Sequence, residues 1–113
     1  MALVTFRHEG RAIDYTPTVA VAAGDVVVQG DLVGVANVDI PADALGALAV
    51  AGVFDFPKAT GVGEAIAVGS TVYWDAGAQE ATTNSGAGAN KELGKTVAAA
   101  GDNDTTVAVR LSQ

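Results

Sequence analysis

The side chains able to do chemistry are few and far apart. His8 is the single histidine of a 113-residue chain that has no cysteine, and it sits in Arg7-His8-Glu9-Gly10-Arg11, beside a turn signal. General acid–base catalysis needs a base or nucleophile held against a partner that orients it. Ser70 follows the turn glycine Gly69, Ser85 lies in a run of small polar residues, and Ser112 is penultimate. No Gly-x-Ser-x-Gly elbow presents any of them. His8 therefore reads as a surface or interface histidine. The missing cysteines exclude disulfides and leave a zinc or iron–sulfur site almost without ligands.

Three further patterns imitate sites. Asp102-Asn103-Asp104 opens like a calcium loop, but the glycine and closing glutamate do not follow at the required spacing. Gly101 to its left makes the segment a turn between strands, and Asp25, Asp31 and Asp43 sit at similar turn positions. Gly61-Val62-Gly63-Glu64 looks like a phosphate loop, yet neither Lys-Ser/Thr nor a sixth-position glycine follows, and no helix begins there. Tyr73 and Trp74 beside Asp75 form a grouping used by sugar sites. With one Trp, two Tyr and three Phe in the chain, the core must recruit aromatics, so Trp74 reads as a packing residue whose indole N–H meets a backbone acceptor. The residues thus nominate no catalytic group, no cofactor, no metal and no small-molecule substrate.

Charge and composition narrow the class. The chain carries 13 acidic and 6 basic side chains for a net charge of -7. The cations, Arg7, Arg11, Lys58, Lys91, Lys95 and Arg110, are scattered, which argues against nucleic acid as a partner because that affinity comes from clustered Lys and Arg on phosphates. The longest charge-free stretch, 44–54, is about half of the roughly 20 apolar residues a membrane span needs. Residues 1–6 lack the basic start and apolar run of a secretory leader. Apolar residues make up 50% and charged residues 17%, with a mean hydropathy of +0.33, whereas globular domains carry about 25% charge. The surplus is Ala and Val. Exposed on a monomer it would form patches, so it points to burial in an oligomer or against a larger assembly.

The length allows one domain, 1–113, with a thin core. Strand signals dominate. Val107, Val109 and Leu111 alternate with Thr106, Ala108 and Arg110, the pattern of a half-buried strand. Residues 71–75 are β-branched and aromatic between two turns. Val26-Val27-Val28 is apolar on both faces, and 5–8, 12–15, 32–38, 47–54 and 92–99 complete the expected strands. Glycine pairs between these runs supply tight reversals. Residues 43–47 read as a turn, with Gly46 opposing helix, and 81–90 as a mobile polar loop. An apolar run, a glycine turn and a strand recur at 20–27 and 65–72, which reads as two similar hairpins in one barrel. The expected fold is all-β: a small β-barrel or sandwich of short antiparallel strands, little or no helix, and an N-terminal arm over 1–11.

In order along the chain, Glu9-Gly10-Arg11-Ala12-Ile13-Asp14-Tyr15-Thr16, Ala23-Gly24-Asp25-Val26-Val27, Gly30-Asp31-Leu32-Val33-Gly34-Val35-Ala36, Gly52-Val53-Phe54-Asp55-Phe56-Pro57-Lys58, Val72-Tyr73-Trp74-Asp75 and Leu93-Gly94-Lys95 resemble the DUF2190 family of small tailed-phage and prophage proteins regarded as capsid decoration, or cement, proteins. The likeness covers about 6–111. It implies a β-rich domain that forms a homotrimer on the outer surface of a phage head, binds the major capsid protein at three-fold and quasi-three-fold positions, and stiffens the expanded shell. The family brings no catalytic motif.

The residues agree with that implication. Low charge suits a surface partly covered by neighbours. Phe6, Arg7, His8 and Arg11 of the arm, with Val26 and Val28 of a doubly apolar strand, are the candidate capsid or oligomer contacts, the arm docking on an acidic surface or extending a sheet edge. Three rivals stand beside it, of which an enzyme is the weakest, with no better residues to nominate than His8 and a carboxylate. Another is a tail or fibre-base module of the virion. The third is a small β-barrel ligand- or protein-binding adaptor, which requires a cleft lined by Trp74, Tyr73 and Lys58 and a monomer in solution.

Overall fold

The computed structural model describes residues 4, 7 and 10–112. Four strands, β1 (Ala12–Tyr15), β2 (Val26–Gln29), β3 (Leu32–Ala36) and β4 (Gly46–Ala49), form one antiparallel sheet in the order β1-β4-β3-β2. Five more, β5 (Gly52–Pro57), β6 (Thr71–Asp75), β7 (Glu80–Thr82), β8 (Lys91–Thr96) and β9 (Thr106–Leu111), form a second in the order β5-β9-β8-β6-β7. One 3-10 turn spans Gly86–Gly88. The fold is all-β, and of barrel and sandwich it is the sandwich.

Alternation does what it should in β6 and β9. Val72, Trp74, Val107, Val109 and Leu111 are buried, whereas Thr106 and Arg110 face solvent. They join Val33, Val35, Phe56, Ile66, Ala81, Leu93 and Ala100 in the larger core, where Phe56 lies 6.0 Å from Trp74 between ring centroids. A smaller core of Ala36, Ile40 and Leu48, backed by Ile13, Tyr15, Val21 and Val27, fills the other side of the first sheet. Both faces of β2 are thus apolar for a reason: Val26 packs on the larger core and Val27 on the smaller.

Three expectations need correction. The run 47–54 is two strands in different sheets, because Gly52 adopts φ +119, a conformation that L side chains resist, and the chain crosses over there. The segment 81–90 is no uniform loop. Its start belongs to β7, where Ala81 pairs with Trp74 and is buried, and its polar remainder bonds to itself, Gly86 N donating to Asn84 Oδ1 (2.8 Å) and Asn90 Nδ2 to Asn84 O (2.9 Å). Strands expected to reach Val38 and Ala99 stop at Ala36 and Thr96. Of the arm expected over 1–11, Arg7 lies outside any strand, and Phe6 and His8 lie outside the described residues.

The echo between 20–27 and 65–72 extends much further than a hairpin. β5, β6, β8 and β9 stand to one another as β1, β2, β3 and β4 do, with β7 and the 3-10 turn inserted between β6 and β8. The registers match: Val26 faces Val35 as Thr71 faces Lys95, and Val27 faces Gly34 as Val72 faces Gly94. Likewise Ile13 faces Leu48 as Phe54 faces Val109. Ala12-Ile13-Asp14-Tyr15 therefore occupies the positions of Val53-Phe54-Asp55-Phe56. Beyond the strands, the bridge Val21–Ile40 corresponds to Ile66–Ala100. The two halves stack face to back. The back of the first sheet, carrying Val26, Val33 and Val35, covers the inner face of the second.

Candidate interaction surface

The carboxylates expected at turns are turn residues in the structure. Asp25 Oδ2 accepts from Ala22 N (3.0 Å), Asp102 Oδ1 from Ala65 N (2.9 Å) and Asp104 Oδ2 from Gly101 N (2.8 Å). Asp43 takes a positive φ of 62°. Among the described residues, no three His, Cys, Asp or Glu side chains gather where a metal could sit. No helix among the described residues is long and apolar enough to cross a membrane. Ser70 offers its backbone N–H to Thr96 Oγ1 (3.0 Å) in a turn.

The cleft required by an adaptor does not form. Trp74 is buried in the larger core, making no hydrogen bond from its indole N–H among the described residues, while Tyr73 points from the opposite face of β6. Lys58 is also interior, only 5% exposed. Its ammonium donates to the carbonyls of Ala59 (2.7 Å), Gly101 (3.0 Å) and Asp104 (3.2 Å). All three ammonium protons are used, which is how a buried lysine is tolerated without a carboxylate.

What the surface does offer is apolar side chains and one adjacent pair of cations. Val19 is 74% exposed and Leu45 71%, with Val38, Val53, Val62, Val68 and Val97 also at the surface. The Ala and Val surplus read in the sequence is therefore on the outside. A shallow depression of about 420 Å³ lies among Ala20, Val21, Ile40 and Pro41. Val28, on the edge strand β2, is 38% exposed, and Arg7 and Arg11 are exposed.

The cations are less scattered than their numbers suggest. Lys95 on β8 and Arg110 on β9 are direct register partners on the back of the second sheet. Lys95 Nζ donates to Thr71 Oγ1 (3.1 Å), and a concavity of about 380 Å³ is lined by Glu92, Lys95, Arg110 and Ser112. Sequence reading missed this pair because only the strand register unites residues so far apart. Lys91, by contrast, is paired with Asp31 at 2.8 Å, linking the β2–β3 turn to the start of β8.

That ion pair yields a pH prediction. Hydrogen bonding from Lys91, then its charge, hold the Asp31 carboxyl below its ordinary value of 3.8. A depressed carboxylate contributes stability that is present above the unfolded value and lost as pH falls through the folded one. Because Asp31 is solvent-exposed, screening keeps the effect on folding small. In a carbon-detected NMR titration, Asp31 should titrate below 3.8 in the wild type and return to about 3.8 in Lys91→Met. Identical midpoints in the two proteins would show that the pair does not persist in solution.

No curated protein and no solved structure matches the chain. The family model described as phage cement protein matches residues 7–111, almost the whole length and every strand of both sheets. By that match the chain belongs to the phage cement protein family, whose role is structural.

Proposed function

We propose that the protein decorates the outer surface of a phage head as a homotrimer, within the DUF2190 group, and stabilises the expanded shell by binding the major capsid protein. The observation that carries this reading is the family match over 7–111. The exposed valines and Leu45 support it, since apolar side chains in such number are suited to cover by neighbours. Phe6, Arg7, His8 and Arg11, together with Val28 of the edge strand β2, are the proposed contacts with capsid or sister copies, whereas the sequence-expected Val26 of the same strand is turned to the larger core and is withdrawn as a contact. An edge strand offers unpaired backbone groups to which an extended segment can add.

The mechanism is mass action. A protein that binds the assembled lattice and not its loose parts stabilises it by about 3 kcal/mol per site when its concentration is about a hundredfold above Kd. A trimer holding three neighbouring subunits adds avidity, because later contacts form at high effective concentration. Purified protein should scatter light as a trimer, and undecorated heads mixed with it should gain density at three-fold positions and disrupt at a higher temperature. A monomer that leaves the disruption temperature unchanged would refute the proposal.

A further inference from the structure

We propose that the back of the second sheet, centred on Lys95 and Arg110, is the face that grips a carboxylate-bearing segment of the shell protein. The inference rests on the shell-binding reading and adds to it which face binds and what chemistry it recognises.

The duplication supplies the first argument. In the first half, the back of the sheet is apolar, with Val26 opposite Val35, and the second half covers it. In the second half the same positions hold Thr71 opposite Lys95, with Arg110 next in line, and among the described residues Lys95 and Arg110 are exposed and Thr71 is half-exposed. One back is thus built for the interior, while its counterpart has polar, charged residues and faces outward. A second copy has no free face of the kind that covers the first back. The inner face of its second sheet is occupied by its own first half, and the inner face of its first sheet is filled by Ile40 and Val21.

Charge supplies the second. On a chain of net charge -7, Lys58 is committed to three carbonyls and Lys91 to Asp31. Lys95 and Arg110 instead stand directly opposite each other, an arrangement that costs stability in a sheet. Among the described residues neither forms an ion pair, although Glu92 lines the same concavity. Two cations placed side by side, neither of them ion-paired among the described residues, at a depression wide enough for a side chain, complement an Asp or Glu from outside. Arg presents a fork that matches carboxylate geometry, and Lys adds a second, movable donor.

The test compares wild type, Lys95→Gln/Arg110→Gln, and a control with the same charge change elsewhere, Thr60→Asp/Thr83→Asp, both exposed positions. Each is mixed with undecorated expanded heads of the parent phage and co-sedimented over a salt series, with thermal melts and light scattering alongside. The double Gln variant should bind about tenfold or more weakly, with a flatter salt dependence, while melting no lower than wild type because a like-charge opposition has been removed. The control should bind as wild type. Equal binding by the double variant, where wild type binds, overturns this face and leaves the decorating role intact. No binding by wild type overturns both. A double variant that loses its self-association but still binds heads would assign the face to sister copies and overturn the proposal.

Discussion

Gly94→Ala should leave the protein unfolded or barely folded at room temperature. At Gly94 the backbone has φ +152, and a Cβ built there would lie 1.9 Å from the carbonyl oxygen of Arg110 and 2.9 Å from the amide nitrogen of Ser112. Those are main-chain atoms of the neighbouring strand, so no side-chain rotation relieves the overlap. β8 and β9 would have to separate where Gly94 pairs with Leu111, and Leu93, Val109 and Leu111 form the buried centre of the larger core at that point. We expect a loss above about 4 kcal/mol, which few point substitutions reach and which is most of what a small domain has. Gly34→Ala makes the comparison: its Cβ would meet Leu48 Cβ at 2.8 Å but the nearest main-chain atom, Ala49 O, only at 3.4 Å, so it should destabilise by less than Gly94→Ala. Circular dichroism and thermal melts of both variants decide it. A Gly94→Ala protein melting within a few degrees of wild type would show that the strands slide apart at little cost.

Lys58→Met should cost about 3 kcal/mol, a drop of roughly 10–15 °C in Tm for a domain of this size. The methionine fills similar volume but leaves the carbonyls of Ala59, Gly101 and Asp104 facing an apolar methyl. Each hydrogen bond from a charged donor contributes about 1.5–3 kcal/mol, and acceptors stranded in the interior add to the loss. The lysine also fastens the end of β5 to the turn between β8 and β9, where Lys58 N donates to Thr105 O (2.9 Å). Because the contribution is a charge-assisted clamp and not packing, Lys58→Arg should not restore it: the fork cannot aim three bonds at one point as an ammonium can. Chemical denaturation of Lys58→Met with a midpoint unchanged from wild type would mean that solvent reaches those carbonyls freely.

Where side chains alternate, the sequence was a good guide to the structure. The bounds of β1, β6 and β9 follow from period-two patterning and flanking turns, since one face is buried and the other wet. The same signal fails at 47–54 because strands buried on both faces read as one continuous run, and Gly52 alone marks the crossing. β7 escaped because the small side chain of Ala81, which fits beside Trp74, has no strand preference of its own. The repeat was visible only where the spacing stays at 45 residues; loops of different length shift the match of Ala12-Ile13-Asp14-Tyr15 to Val53-Phe54-Asp55-Phe56 and hide it. Lys58 and the Lys95–Arg110 pair were least legible. Whether a lone lysine is clamped inside depends on how the turn between β8 and β9 meets the end of β5, and whether two distant cations become neighbours depends on the β8–β9 register, neither of which composition contains.

The two halves share a plan but are linked covalently, and the linkage has a chemical consequence. Two identical units associating through space must carry the same residues at every matching place, so a greasy patch that suits the seam would also appear on the outside. Written twice in one polypeptide, the plan can be spelled differently each time: valine at 26 and 35 where the seam closes, threonine and lysine at 71 and 95 where water remains. Tandem linkage thus lets a small protein have a greasy side for its own seam and a soluble side from one architectural template.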